Sequence, residues 1–258
     1  MSYKIRSSDI PLAADPEEAA MFRPLLQRLR YGADLTEADY GRLSELARTR
    51  QVGARQQIIQ QGDRPEDVHL VLDGFACRYK VLPNGSRQII ALLVPGDFSD
   101  LHVAILGKMD HSIATLSPCT VADIPRATIL DLIGNHPRIA RALRWATLAD
   151  VAILREWLVN MGQREAHHQL AHLFCELLIR LQAAGVGDTN GYSLPLTQED
   201  MADVLGLTSV HVNRTLQLLR EEGLIVLRRR RLDIPDVERL MLYCDFNPDY
   251  LHLVKRVE

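Results

Sequence analysis

The sequence predicts an α+β protein in three parts: an N-terminal β-roll of jelly-roll type, one long helix, and a C-terminal helical domain closed by a hairpin. Three observations predict it. Between residues 50 and 125, short β-prone runs alternate with Gly-Asp, Asp-Gly and Asn-Gly turns, the pattern of sandwiches, barrels and jelly rolls. From Pro137 to Met161 the interior has no Gly or Pro, and apolar residues recur every three or four positions, as a helix requires. After residue 196, two short capped helical segments meet at Gly206. Composition agrees. The chain has 258 residues, 47% hydrophobic and 24% charged, with a net charge of −3. That excludes collagen-like, disordered and disulfide-scaffold classes, and the length suffices to bury a proper core.

Residues 1–20 read as a lead-in interrupted by Pro11 and Pro16. No apolar run follows a basic start, so no signal peptide is expected. No stretch approaches 18 apolar residues, so no membrane partner is expected. Cys77, Cys119, Cys175 and Cys244 stand far apart without a CxxC, which fits free thiols in a reducing cytoplasm. Residues 21–136 form the β-roll domain. Helical spacing places Phe22, Leu25, Leu26 and Leu29 on one face of residues 18–30. It places Tyr40, Leu43, Leu46 and Ala47 on one face of 36–47, with Thr36 as N-cap. Asn84-Gly85 between two β runs predicts a hairpin. Residues 126–134 read as a short helix.

Pro137 can open the long helix of 137–161 at its first turn, where its missing N–H costs nothing. Ala140, Leu143, Thr147, Val151, Leu154, Leu158 and Met161 form its stripe. The stripe suits packing on the β-roll and against a twin helix, so Leu143, Thr147, Leu154, Leu158 and Met161 are the expected dimer contacts; a plain core helix is the alternative. Gly162 is expected to end the run. A helix over 163–183 and a Gly-rich loop over 184–193 follow, within a C-terminal domain of 162–258.

Residues 197–225 carry the strongest signal. Thr197 and Asp200 resemble a capping box with Asp in place of Glu. Met201, Ala202, Val204 and Leu205 give the first helix a buried face, and Gly206 allows a sharp turn. Thr208 caps the second helix, of about 208–222, whose inner stripe is Val212, Leu216 and Leu219 with Thr215 alongside. This is a helix-turn-helix pattern, whose second helix enters the major groove of double-stranded DNA. Ser209, Val210, Asn213 and Arg214 are the expected base contacts. Arg214 matches guanine O6 and N7, Asn213 matches adenine, and Val210 suits a thymine methyl. Arg228, Arg229, Arg230 and Arg231 sit at the tip of a predicted hairpin, a wing. With Thr208 and His211 they are expected at phosphates, which position the protein without reading sequence. From Thr208 to Leu232, six arginines face only Glu221 and Glu222. That excess of four leaves −7 for the rest, so one end alone should meet DNA. A generic helical hairpin with a solvated charge run is the bland alternative.

From about residue 20 to 240 the chain resembles the Crp/Fnr family of bacterial transcription regulators. Gly62-Asp63 through Asp73-Gly74 to Pro95-Gly96-Asp97-Phe98 is similar to the family's cyclic-nucleotide-binding domain, the long helix to its dimerisation helix, and the last third to its winged helix-turn-helix. The resemblance implies a homodimer on a pseudo-palindromic operator, with RNA polymerase as a further partner. Members that bind cyclic AMP carry a Glu for the ribose and an Arg for the phosphate. Here Leu101 takes the Glu position, with Asp100 one residue away, and His111 the Arg position. Leucine cannot bond a hydroxyl, and a neutral imidazole is a poor substitute for a guanidinium fork. Cyclic AMP is therefore not the expected effector. Asp100, Leu101, His111 and Ser112 mark the expected pocket, for another small molecule or for a degenerate sensor. The iron–sulfur cluster of the oxygen-sensing branch uses cysteines near the N-terminus, and no cysteine precedes Cys77. Val210 replaces the family's usual recognition-helix Glu, so the half-site should differ at one base pair or more.

No cofactor and no metal site are expected. His168 and His172 stand four apart beside His167 and Glu165, but no third or fourth ligand is evident. His102 and His111 are expected to be satisfied or exposed rings, with pH sensing or haem ligation as the functional alternative. Cys175, among Leu173, Phe174, Leu177 and Leu178, reads as a core thiol. An enzyme is not expected: His69 lacks the second histidine of a cupin-type HxH pair, and no GxSxG, HExxH or P-loop occurs. The remaining alternative is a ligand-binding module acting through protein contacts.

Overall fold

The computed structural model describes residues 16–44 and 48–254. Leu46 and Ala47, and the lead-in up to residue 15, lie outside them. α1 (Pro16–Leu29) begins earlier than the periodicity predicts, because Pro16 sits in its first turn, where a proline costs no hydrogen bond. Its expected face, Phe22 to Leu29, is buried. α2 (Glu37–Ser44) starts after Thr36, whose backbone N–H donates to Asp39 Oδ2 at 2.8 Å.

The β-roll comprises β1 (Arg48–Val52), β2 (Gln57–Ile59), β3 (Asp67–Asp73), β4 (Ala76–Val81), β5 (Arg87–Leu93), β6 (Ser112–Thr115) and β7 (Cys119–Pro125). It folds as two antiparallel sheets, ordered β1-β7-β3 and β2-β6-β4-β5. The Asn84-Gly85 hairpin forms as expected: β4 pairs with β5, Gly85 has φ 85°, and Leu82 N–H donates to Ser86 O at 2.9 Å. Gly96 has φ 90°, and a Cβ there would stand 2.7 Å from Pro24 O. Only glycine lets the turn after β5 meet α1 this closely. A short α3 (Val103–Leu106) follows, and α4 (Arg126–Asn135) closes the roll.

α5 (Pro137–Gln163) runs straight through Gly162. A solvent-facing glycine costs a helix about 1 kcal/mol but does not stop it; the break falls at Arg164, whose backbone is extended. α6 (Ala166–Ala183) therefore starts three residues later than expected. It is buried nearly throughout and joins the two halves. Its Phe174, Leu177 and Leu178 share one apolar cluster with Phe75, Leu92 and Val94 of the β-roll and with Met201, Val212 and Leu216 of the C-terminal helices.

Part of the predicted 184–193 loop is ordered, because Gly191–Ser193 forms β8 and pairs with β10 (Arg231–Asp233). β10 also pairs with β9 (Val226–Arg228). α7 (Gln198–Leu205), α8 (Ser209–Glu221), α9 (Val237–Tyr243) and a 3-10 turn at Pro248–Leu251 complete the domain. No helix among the described residues is long and apolar enough to cross a membrane.

Candidate nucleic-acid interface

The turn between α7 and α8 follows from its caps. Thr197 Oγ1 accepts from Asp200 N–H at 3.1 Å while Thr197 N–H donates to Asp200 Oδ2 at 2.8 Å, a complete capping box. Gly206 ends α7 in the left-handed region at φ 67°, and its N–H closes on Ala202 O. Thr208 Oγ1 then accepts from His211 N–H at 3.2 Å and opens α8. Val212, Thr215, Leu216 and Leu219 are buried, as their spacing requires. That leaves Ser209, Val210, His211, Arg214 and Gln217 on the exposed side. Asn213 is half-buried and is not wholly free: its Oδ1 accepts from Gln198 Nε2 at 3.2 Å, which leaves its amide N–H₂ to donate outward. Gln198, on the first helix, is a residue the sequence reading missed; no motif distinguishes it from any polar first-turn residue.

The wing forms at β9 and β10. Its two turn residues, Arg229 and Arg230, have φ of 48° and 64°, as a tight hairpin turn demands. Among the described residues Arg228, Arg229 and Arg230 make no ion pair and are exposed. Arg231 corrects the expectation of four free arginines. Its Nε donates to Asp233 Oδ1 at 2.8 Å and its Nη2 to Asp188 Oδ2 at 2.5 Å, so its charge is already matched within the domain.

The exposed face of α5 carries most of the predicted dimer contacts. Thr147, Leu154, Leu158 and Met161 are exposed, Leu158 by 74%. Leu143 is not. It is 2% exposed and packs in the β-roll core with Ile139 and Ala142. At 3.6 residues per turn it lies at the stripe's edge nearest that core, and the first turns of α5 press against α1 and α4. Leu143 is thus removed from the contact set.

The sensor region departs further from expectation. Asp100 is fully buried, and its carboxylate accepts from His69 N–H and meets His69 Nδ1, both at 2.7 Å. It braces two segments of the roll rather than facing a ligand. The open concavity on this side is lined by Gln60, Gln61, Tyr79, Lys80, Lys108 and Ser112 among others. Of the four predicted pocket residues it includes Ser112 alone, whose Oγ also accepts from Gln61 N–H. Leu101 packs against the apolar core, and His111 is buried behind Asp110.

Cys175 is fully buried, and burial together with the Cys244 thiol pushes its pKa well above the ordinary value. That is the opposite of what a reactive thiolate needs. His168 and His172 do not converge. His172 is buried against Phe246 and Tyr250, and desolvation holds it down at about 3. His167 and His168 pack on Tyr243 instead.

The fold also joins the halves through charges whose partners no motif in the sequence identifies. Asp200, the capping carboxylate of α7, receives both Nη atoms of Arg55 at 2.6 Å and Arg87 Nη2 at 2.8 Å. Burial alone would raise its pKa, but these bonds and those from Thr197 hold it at about 2. Arg87 also meets Asp203. Deeper, Asp97 pairs with Arg28 and with Arg180 of α6, and Arg180 also reaches Glu176 at 3.0 Å.

A capped helix pair with an exposed second helix, an arginine-tipped wing and a β-roll docked beside them defines a sensor-linked DNA-binding protein. Residues 49–136 match the model of the cyclic nucleotide-binding domain, and residues 168–243 that of the Crp-like helix-turn-helix domain. The chain is 29% identical to the transcriptional activatory protein AadR of Rhodopseudomonas palustris, over 81% of this chain and 83% of that one. It is 29% identical to the transcriptional activator protein FnrL of Cereibacter sphaeroides, over 77% and 81%. Its fold is similar to that of FixK2 from Bradyrhizobium japonicum, with a TM-score of 0.69 at 24% identity over 76% of this chain and 96% of that one. The chain thus carries the two domains of Crp/Fnr-type transcription regulators and is similar to them along most of its length. Its relatives are regulators, not enzymes.

Proposed function

We propose that this regulator works in the cytoplasm as a homodimer on a pseudo-palindromic operator, with α8 in the major groove. The carrying observation is the exposed, capped N-terminal half of α8 beside three unpaired wing arginines. Ser209, Val210 and Arg214 read bases, with Asn213 donating through its amide while Gln198 holds its oxygen. Thr208, His211, Arg228, Arg229 and Arg230 meet phosphates. Thr147, Leu154, Leu158 and Met161 pair with the same residues of a second copy. The sensor spans 21–136, the dimer helix is α5, which runs on to Gln163, and the DNA-binding domain follows over 164–258. RNA polymerase is the further partner.

The β-roll does not take cyclic AMP. Leu101 and His111 replace the groups that would hold its ribose and phosphate, and His69 consumes the neighbouring Asp100. Selection of bound sequences from random DNA tests the reading. The expected result is one palindrome, with affinity that falls steeply with salt. Arg214→Ala is expected to lose about 1–3 kcal/mol on that site and to relax one base-pair preference. Sequence-blind or salt-insensitive binding would refute the reading.

A further inference from the structure

The expectation of no metal site rests on His168 and His172, which share a helix but not a site. The fold brings a different set together. His102 stands just before α3, and Asp110 and His111 just before β6. One nitrogen of each ring and one oxygen of the carboxylate lie within 4.8 Å of one another, and among the described residues this is the sole such group of histidine, cysteine and carboxylate side chains.

The distances suit a bound cation. Asp110 Oδ1 is 2.7 Å from His111 Nδ1 and 3.8 Å from His102 Nε2. Ligands bonded at about 2.0–2.1 Å in a tetrahedron stand roughly 3.3 Å apart, between those two values. Small side-chain shifts would equalise them. The Nε2 atom of His102 is buried without a hydrogen-bond partner, an unusual state for a polar group inside a protein. His102 Nε2 can ligate directly. Coordination of His111 through Nδ1 leaves its ring proton on Nε2. The His111 side chain is 7% exposed, whereas that of Asp110 is 75% exposed, so the site has a fixed inner wall and an open mouth.

The surrounding charge is mixed. Arg78 lies close enough to oppose a cation, but it donates to Ser99 O, Phe98 O and Asp150 Oδ2. Asp100 and Asp150 act in the opposite sense on His102. Two imidazoles and one carboxylate form the donor set of a borderline divalent transition metal, with a fourth position left to solvent.

We propose that His102, Asp110 and His111 bind one divalent transition-metal ion of the zinc or cobalt class in the sensor domain. Ion binding there is independent of how α8 reads DNA, so either reading can fail without the other. The test titrates cobalt(II), then zinc(II) in competition, into full-length protein stripped with a chelator, without DNA. The expected result is one ion per chain with a cobalt absorption band that zinc abolishes. Asp110→Asn removes an exposed carboxylate and should spare the fold; it and His102→Ala are each expected to weaken binding roughly tenfold or more. His168→Ala is expected to leave it unchanged. Absence of saturable binding, or affinity in both Asp110→Asn and His102→Ala equal to that of the unsubstituted protein, overturns the proposal.

Discussion

The arginines of the seam between β-roll and DNA-binding domain and those of the wing are the same residue put to opposite uses. At the seam, Arg28 and Arg180 are buried around Asp97, and Arg55 and Arg87 converge on Asp200. Each cation there has a carboxylate partner. At the wing, Arg228, Arg229 and Arg230 project into solvent without one. A buried charge must be paired because the interior cannot solvate it. An exposed one can stay unpaired and keep its attraction for an outside anion. The difference teaches that arginine count says little about partners, whereas pairing within the chain says much.

The largest effect should fall at the seam. Asp97→Ala would leave Arg28 and Arg180 buried without their shared carboxylate, and is expected to cost about 3–5 kcal/mol, read as a lower urea midpoint. An unchanged midpoint would break the contrast with the wing.

A second effect is pH dependence inside the same packed region. His172 titrates at about 3 when folded and near 6.5 when not. As pH falls below 6.5, the unfolded chain takes the proton first. The stability is fully present above that pH and drains by about 1.4 kcal/mol per unit down to the folded value. The lowered pKa values of His102 and His111 act with the same sign. Denaturation at pH 7, 6 and 5 should show this slope, and His172→Gln should remove about one proton from it; an identical slope in the variant would dismiss the assignment to His172.

The smallest effect on stability belongs to the wing. Arg230→Gly relieves a left-handed backbone, so the urea midpoint should hold or rise slightly. The salt slope of DNA binding should drop by about one. A destabilised protein with an unaltered slope would place Arg230 on the structural side of the comparison.

Much of this was legible in the sequence where a local rule governs. Thr197, Asp200, Gly206 and Thr208 mark caps whose partners lie within four residues, and the helix-turn-helix forms as read. Asn84-Gly85 likewise sets its own turn. Expectations failed where the deciding partner is distant in sequence. Leu143 fits the dimer stripe by spacing, yet α1 and α4 cover it. Arg231 belongs to the charge run, yet Asp188, 43 residues earlier, claims it. Asp100 stands one residue from the pocket position, yet His69 holds it. Gly162 shows the reverse error: a local rule for breaking helices was applied to a solvent-facing glycine, whose cost of about 1 kcal/mol does not stop a helix.

α6 carries a last consequence. Its side chains are shared between one face of the β-roll and the DNA-binding helices, while the roll keeps a second apolar cluster of its own. A cut at residue 162 would strip the roll of part of its wall and give the C-terminal piece a greasy face. The two halves are separate in their tasks but joined by this packing, so a strain entering at the roll meets no slack linker before it reaches the helices.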